Sequence, residues 1–510
     1  MLALALSAAI SGIDAHVVRV ETDSAAGTPS FAIVGLPDRA LNESRDRIRA
    51  ALVNSGFGFP PGKLLANLAP ADMRKTGAGF DLAIALALLA TDEQLAAGTL
   101  SDYVACGELA LDGSLRAVPG VLAMTLAAKR AGFARILVPE ANLAEAALVD
   151  GIDVYAVPTL GDAVAVVLGH GAKFRRRGTT VLDPGDRAAS GDFADVKGQT
   201  VAKRALEIAA AGGHNVVLVG PPGCGKTMLA RRLPSILPAM TTAEALDVTK
   251  IYSVAGLLGA RPRVVATRPF RAPHHTASRV SLVGGGSQPR PGEISLAQHG
   301  VLYLDELAEF PRATLEVLRQ PLEEGSVTIA RAAGTLTFPA RFTLVASMNP
   351  CPCGFRGDRG SDCRCDDAAV QKYLAKLSGP LLDRIDLHVT VSRVSFDELV
   401  QTRATEASAA IRARVEAARA RQSVRHRDVG VATNAAIAPA DVRRFCALDA
   451  PTLELLGNAV TRGTLSARAF DRVARVARTI ADLAGADRIA REHVAEALVY
   501  RGADRALRRS

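Results

Sequence analysis

The sequence predicts an α/β chain in three blocks. An α+β domain covers 1–170, a parallel α/β core covers 193–392, and a connecting helix with a helical lid fills 393–510; 171–192 links the first two. Three observations carry this. An apolar segment at 215–220 runs straight into a glycine-rich loop and then a helical pattern. Two more apolar segments, 301–304 and 342–347, recur at the spacing of alternating strands and helices, as a parallel sheet requires. From about 396 onward the pattern is helical.

Composition sets the outer bounds. At 510 residues the chain is too long for one ordinary domain. Hydrophobic residues make up 49% and charged residues 22%, the balance of a globular protein with ample core. Sixty-one Lys+Arg against 52 Asp+Glu give +9, a mild excess that permits an anionic partner such as nucleic acid without requiring one. Of seven cysteines, four crowd into 351–365 while Cys106, Cys224 and Cys446 are scattered. An odd, clustered set argues against a secreted disulfide framework and fits a reducing cytoplasm with one metal site. The apolar start, 1–10, lacks a basic leader and soon meets Asp14, His16 and Arg19, so it is expected to be a strand rather than a signal peptide. The run 84–90 is too short to span a bilayer, and no membrane partner is expected.

In the first block, Val17, Val18 and Val20 begin a strand. Pro37 and Asp38 open a helix through Arg47, Ile48 and Leu52. The segment 80–89 reads as a buried helix and 136–138 as a buried strand. Arg45, Arg47 and Arg49 are expected to be solvated. Lys173, Arg175, Arg176 and Arg177, followed by Asp183, Pro184, Gly185 and Asp186, have the composition of a tether.

The core carries the chemistry. Gly220, Pro221, Pro222, Gly223, Cys224, Gly225, Lys226 and Thr227 satisfy the P-loop pattern G-x-x-x-x-G-K-[ST], with strand before and helix after. Glycines let backbone N–H groups close around phosphates, and the helix aims its positive end at them. Lys226 is expected to reach the β- and γ-phosphates of ATP, and Thr227 to hold Mg²⁺. The strand at 301–304 ends in Asp305, expected near the metal, and Glu306, placed to activate the attacking water. The strand at 342–347 ends at Asn349, which can help position that water. Arg384 and Arg468 each sit in a short motif and fit the positive charge that phosphoryl transfer needs.

These motifs, together with 270–276 (FRAPHHT), 291–295 (PGEIS), 304–307 (LDEL), 348–354 (MNPCPCG) and 474–482 (ARVARTIAD), resemble the AAA+ branch of magnesium-chelatase I subunits and MCM helicases. The likeness is to the ComM/YifB magnesium-chelatase-like family and spans essentially the whole chain. It implies an α/β P-loop AAA+ core with a C-terminal helical lid. By the resemblance Asn349 is sensor 1, Arg384 an arginine finger acting in trans and Arg468 sensor 2. A trans finger implies a ring, a homo-hexamer with ATP at subunit interfaces. The family activity is that of a DNA translocase promoting branch migration during recombination of imported DNA, as in natural transformation. The alternative is a chelatase-type chaperone that remodels a protein partner for metal insertion.

The resemblance also assigns the segment with Arg271, His274, His275, Arg279 and the run 284–286 to a loop inserted into the second core helix and facing the ring channel. The segment 327–338 alternates apolar and polar residues around a small turn, a β-hairpin signal, and sits where MCM-like proteins carry a pore hairpin. Arg331, at its turn, is the leading DNA-contact candidate, with His274, His275 and Arg279 behind it. With no Trp and 4% aromatics, backbone tracking is expected over base stacking. Cys351, Cys353, Cys363 and Cys365 give C-x-C-x9-C-x-C, four thiolates that suit one structural Zn²⁺.

The first block resembles the Lon-protease-like (S5-type) domain of the same family through 75–86 and 107–113. By that resemblance Gly77 stands where an active protease has its Ser nucleophile, and Leu122 where it has its Lys base. Proteolysis is therefore expected to be absent.

Overall fold

The computed structural model describes residues 2–36, 39–71, 75, 77–96, 98–179, 191–259, 263–286, 290–331, 334–358, 360–400, 405–461 and 467–501. The front of the chain forms an eight-stranded sheet. Its order is Arg175–Arg177, Asp153–Val157, Arg135–Pro139, Tyr103–Ala105, Ala3–Ser11, Asp14–Ala25, Lys63–Ala69 and Ser30–Val34. The apolar start is the strand expected of it, paired antiparallel with Asp14–Ala25 from Ala3↔Thr22 to Ser11↔Asp14. The helix Asp81–Thr91 has no polar face beyond its ends, and all its residues are buried. A helix apolar all round has no side to give to water, so it lies in the middle of this domain's core. The helix Arg39–Asn54 matches the expected one, and Pro37 and Asp38 lie outside the described residues.

Two charged segments depart from expectation. Lys173 to Arg177 was expected to be part of a tether, yet Arg175–Arg177 is an edge strand, with Arg175↔Tyr155 and Arg177↔Asp153 in register. Asp153 neutralises Arg175 at 2.7 Å, so strand pairing prevails over the solvation of a charge run. Asp183, Pro184, Gly185 and Asp186 lie outside the described residues. Arg47 does not project into solvent. It reaches the buried carboxylate of Asp81 at 3.0 Å.

The second sheet has five strands, all parallel, in the order Phe270–Arg271, Val301–Leu304, Thr343–Met348, Val216–Val219 and Leu387–Thr390. Its inner strands are buried and mostly apolar, because both faces are covered, with Thr343 and Ser347 as the polar exceptions. The alternation of side chains across the sheet shows in the core. Val216, Leu218, Val301, Tyr303, Val345 and Leu387 share one apolar cluster with the helices Thr200–Gly212 and Lys226–Ile236 and with the lid. Val217, Leu302, Leu304, Leu344 and Ala346 share the other, with Phe310, Val327, Ile329 and Phe338.

The lid comprises Ser408–Arg425, Val442–Phe445, Ala450–Thr461, Ala467–Leu483 and Arg491–Val499. In Ala467–Leu483 the buried residues Val473, Val476, Ala477, Ile480 and Ala481 fall three and four apart, one apolar stripe turned to the core.

The front domain is fastened to the core at the turn of its first strand pair. Ile13 belongs to the same apolar cluster as Val327, Ile329 and Phe338. Lys250 donates to Asp14 at 2.7 Å, and Ser253 donates to Glu145. Among the described residues no helix is long and apolar enough to cross a membrane.

Candidate functional site

The glycine-rich loop leaves the strand Val216–Val219 at its C-terminal end and enters the helix Lys226–Ile236. Gly220 is obligatory, since a Cβ there would stand 2.1 Å from the Val391 carbonyl oxygen. Gly223 and Gly225 take φ of 76° and 91°, left-handed values that glycine adopts without a Cβ penalty. Lys226 Nζ donates to the Gly220 and Pro221 carbonyls at 2.7 and 2.8 Å and to Asn349 Oδ1 at 3.2 Å. Burial pulls its pKa down, and the nearby Cys224 and Asp305 oppose that. The lysine is held ready inside its own loop, beside the tip of the strand that bears Asn349.

Thr227 Oγ1 donates to Asp305 Oδ2 at 2.9 Å. Behind this pair, the Tyr303 hydroxyl donates to Thr227 at 3.2 Å and meets Ser347 Oγ at 3.0 Å. Ser347 also donates to Asp305 Oδ1. Burial pushes the Asp305 carboxyl up, but the hydroxyls of Ser347, Thr227 and Tyr303 and the Glu306 amide together outweigh it and hold it below its ordinary value. A carboxylate kept ionised beside a hydroxyl, facing a cradle lined by glycines, is the donor set of a small hard cation next to phosphate. The residues present fit ATP with Mg²⁺, and Thr227 and Asp305 would hold the metal.

Glu306 follows in the left-handed region at φ 52°, a conformation costing a non-glycine residue about 1–3 kcal/mol. That backbone turn projects its side chain outward, 55% exposed, where His275 Nδ1 stands 3.3 Å away. His274 stacks on His275 with ring centroids 4.1 Å apart, and Phe310 meets His275 edge-on. The segment 270–276 is thus not wholly a projecting loop. Phe270–Arg271 is the edge strand of the core sheet, and the chain leaving it delivers His275 to Glu306. His274 and Arg279 are exposed, and Gly284–Gly285 pairs with Arg290–Pro291 in a small ladder.

The expected hairpin is present as Ser326–Arg331 and Gly334–Pro339, in register from Ser326↔Pro339 to Arg331↔Gly334. Arg331 ends the first strand at the turn, and its side chain lies outside the described residues. Arg384 follows the short helix Gly379–Leu382. Its guanidinium donates to the Pro380 carbonyl at 2.7 Å and to Glu323 at 2.5 Å, neither of which belongs to the glycine-rich loop. Arg468 lies in the first turn of Ala467–Leu483, its side chain outside the described residues. One turn on, Arg472 donates to the buried Asp386 at 2.9 Å.

The four clustered thiols converge. Cys351, Cys353, Cys363 and Cys365 have their sulfurs within 4.8 Å of one another. Three of the separations are 3.4, 3.7 and 3.6 Å. Disulfide bonding requires about 2.05 Å. A tetrahedral Zn²⁺ with sulfurs about 2.3 Å away spaces them by about 3.8 Å, so the residues fit that metal.

In the front domain, Gly77 precedes a short 3-10 turn at φ 82°, and Leu122 is fully buried in the helix Val121–Arg130. Neither offers a nucleophile or a base. Sequence reasoning missed Tyr303, Ser347, Glu323 and Asp386, and did not connect His275 to Glu306. The only signal for them was their place beside recognised motifs.

Comparison with known proteins is consistent along the chain. Residues 192–399 match the family model described as magnesium chelatase, subunit ChlI; 405–501 match that of its C-terminal part. Residues 20–142 match the model described as subunit ChlI of Mg-chelatase. An uncharacterized protein of Mycobacterium tuberculosis is 45% identical, over 98% of both chains. Competence protein ComM of Haemophilus influenzae is 42% identical over 100% of this chain and 99% of its own, and the uncharacterized protein YifB of Escherichia coli 43% over 97% and 96%. The magnesium-chelatase 38 kDa subunit of Cereibacter sphaeroides is more distant, 27% identical over 31% of this chain. With full-length relatives at this identity and its core and lid both matched, the chain belongs to the ComM/YifB magnesium-chelatase-like family.

Proposed function

We propose that this protein is an ATP-driven motor that works as a ring, most simply a homo-hexamer, and translocates on DNA to promote branch migration in homologous recombination. The observation that carries the ATPase part is the convergence of Lys226, Thr227, Asp305, Glu306 and Asn349 at the ends of three adjacent parallel strands. Lys226 and the loop amides bind the phosphates, and bound Mg²⁺ supplies charge neutralisation there. Asn349 orients the attacking water, and Glu306 takes its proton. Arg384 is engaged away from its own loop, which supports a contact made to a neighbour's phosphate. Arg468, at the start of a lid helix, is suited to report the nucleotide to the lid.

The DNA part is supported by full-length likeness to a protein named for competence and by the hairpin that carries Arg331. The Lon-like reading of the front domain extends this as a scaffold without proteolysis, and the four-thiol loop as a structural Zn²⁺ site. The chelatase-type reading draws on the distant chelatase relative, which covers a third or less of the chain.

The test is ATPase activity with and without DNA, alongside branch migration on a three-strand substrate, for the wild type, Lys226→Ala and Arg331→Ala. The expected result is DNA-stimulated ATPase and strand movement, abolished by Lys226→Ala and weakened uniformly across DNA sequences by Arg331→Ala. ATPase without DNA stimulation or strand movement would refute the helicase reading and favour the chelatase one.

A further inference from the structure

Arg384 is not presented as a free charge. Its Nη2 is paired with Glu323 at 2.5 Å and its Nη1 with the Pro380 carbonyl at 2.7 Å, leaving the side chain 11% exposed. Its Nε has no hydrogen-bond partner among the described residues. A guanidinium held by such a carboxylate is partly neutralised and tied in place, so moving it onto a neighbour's phosphate means giving up that pair.

Glu323 has a telling position. It lies in the last turn of the helix Arg319–Glu324, which Gly325 ends with φ 64°. The next residue, Ser326, starts the hairpin, and Ala340 beyond the hairpin's second strand donates back to the Gly325 carbonyl at 2.8 Å. Glu323 is therefore attached at once to the guanidinium and to the root of the hairpin, which starts three positions on. A shift of the hairpin root displaces the carboxylate from Arg384.

We infer that Glu323 is a positioning residue for the Arg384 guanidinium: it holds the arginine in a resting place and releases it when the hairpin moves. The inference rests on the reading of Arg384 as a residue acting on a neighbouring subunit's phosphate. It adds that hairpin and arginine are exchanged through one carboxylate, so DNA on the hairpin raises hydrolysis at the adjoining interface. Glu323 is 64% exposed, so the pair is modest in strength and the exchange is reversible.

The experiment measures steady-state ATPase of the full chain, with and without single-stranded DNA, for wild type, Glu323→Gln, Glu323→Asp, Arg384→Ala and Glu323→Gln/Arg384→Ala. Exposure of Glu323 makes folding of its variants safe, and melting curves check it. Expected are a DNA-free kcat raised about two- to fivefold in Glu323→Gln, the scale of an exposed ion pair, and a DNA-bound kcat unchanged. The stimulation ratio should fall accordingly, Glu323→Asp should restore wild-type behaviour, and the double variant should be as inactive as Arg384→Ala. A Glu323→Gln enzyme with wild-type or lower DNA-free kcat, while Arg384→Ala is inactive, overturns the inference. Wild-type activity in Arg384→Ala instead overturns the trans-arginine reading and the inference with it.

Discussion

His275 stands 3.3 Å from Glu306 and is itself pinned between His274 and Phe310. A carboxylate that is more than half exposed needs such a partner to keep one orientation toward water. His275→Ala is expected to leave ATP affinity within about twofold and lower kcat about two- to fivefold, the scale of one exposed ion pair. Glu306→Gln should abolish turnover. Unchanged kcat in His275→Ala would detach the imidazole from the hydrolytic step. The sequence showed Glu306 and His275 separately but not their pairing. Glu306 is announced by its place after an apolar strand, whereas the position of His275 depends on Phe270–Arg271 becoming an edge strand. Two residues carry too little periodicity to be read as one. The glycine-rich loop was legible throughout because its glycines answer local demands, the Val391 carbonyl at Gly220 and a positive φ at Gly223 and Gly225.

At the scale of elements, alternation revealed both the parallel strands and the hairpin, where Val327, Ile329 and Phe338 turn inward and Thr328 and Thr337 outward. The basic segment 173–177 was read differently because composition alone does not reveal that Asp153 waits across the sheet edge. The cysteine loop makes its own prediction. Purified protein is expected to carry one zinc per chain. Stripping it, or Cys363→Ser, should lower the melting temperature by about 10 °C, the scale of about 4 kcal/mol of linked binding at free metal a thousandfold above Kd. Metal analysis finding no zinc would leave four thiols held together by loop geometry alone. Cys351 packs in the core and Gly354 abuts Pro222, where a Cβ would come within 2.6 Å. The cysteine loop thus braces the back of the glycine-rich cradle.

Across the molecule, Asp386 ties lid to core. It accepts from Arg472 at 2.9 Å and from the Asn215 amide at 3.2 Å, and faces His214, whose other ring nitrogen meets Thr479 at 2.8 Å. Burial pushes the Asp386 carboxyl up, but the His214 hydrogen bond and the charges of Arg472, His214 and Arg501 outweigh it and hold it well below the usual carboxylate range. A depressed folded pKa contributes stability that is present above the unfolded value, about 4, and is lost as pH falls below it. Asp386→Asn is expected to cost about 3–5 kcal/mol at pH 7, read as a lower urea midpoint for the lid-and-core transition. The gap to wild type should narrow as the medium is taken below about pH 4. A pH-independent gap would mean that packing, not charge, holds the lid.

The turn at Gly12 and Ile13 gives the front domain a mechanical part. Ile13 is wedged into the apolar cluster under the hairpin, and a Cβ on Gly12 would lie 3.4 Å from the Thr337 carbonyl oxygen. A hairpin seated this way cannot rock without levering against the front sheet, which acts as its fulcrum. Deleting the front domain would not leave the core as it is. It would strip the hairpin of its bearing and leave a greasy notch where the two halves once met.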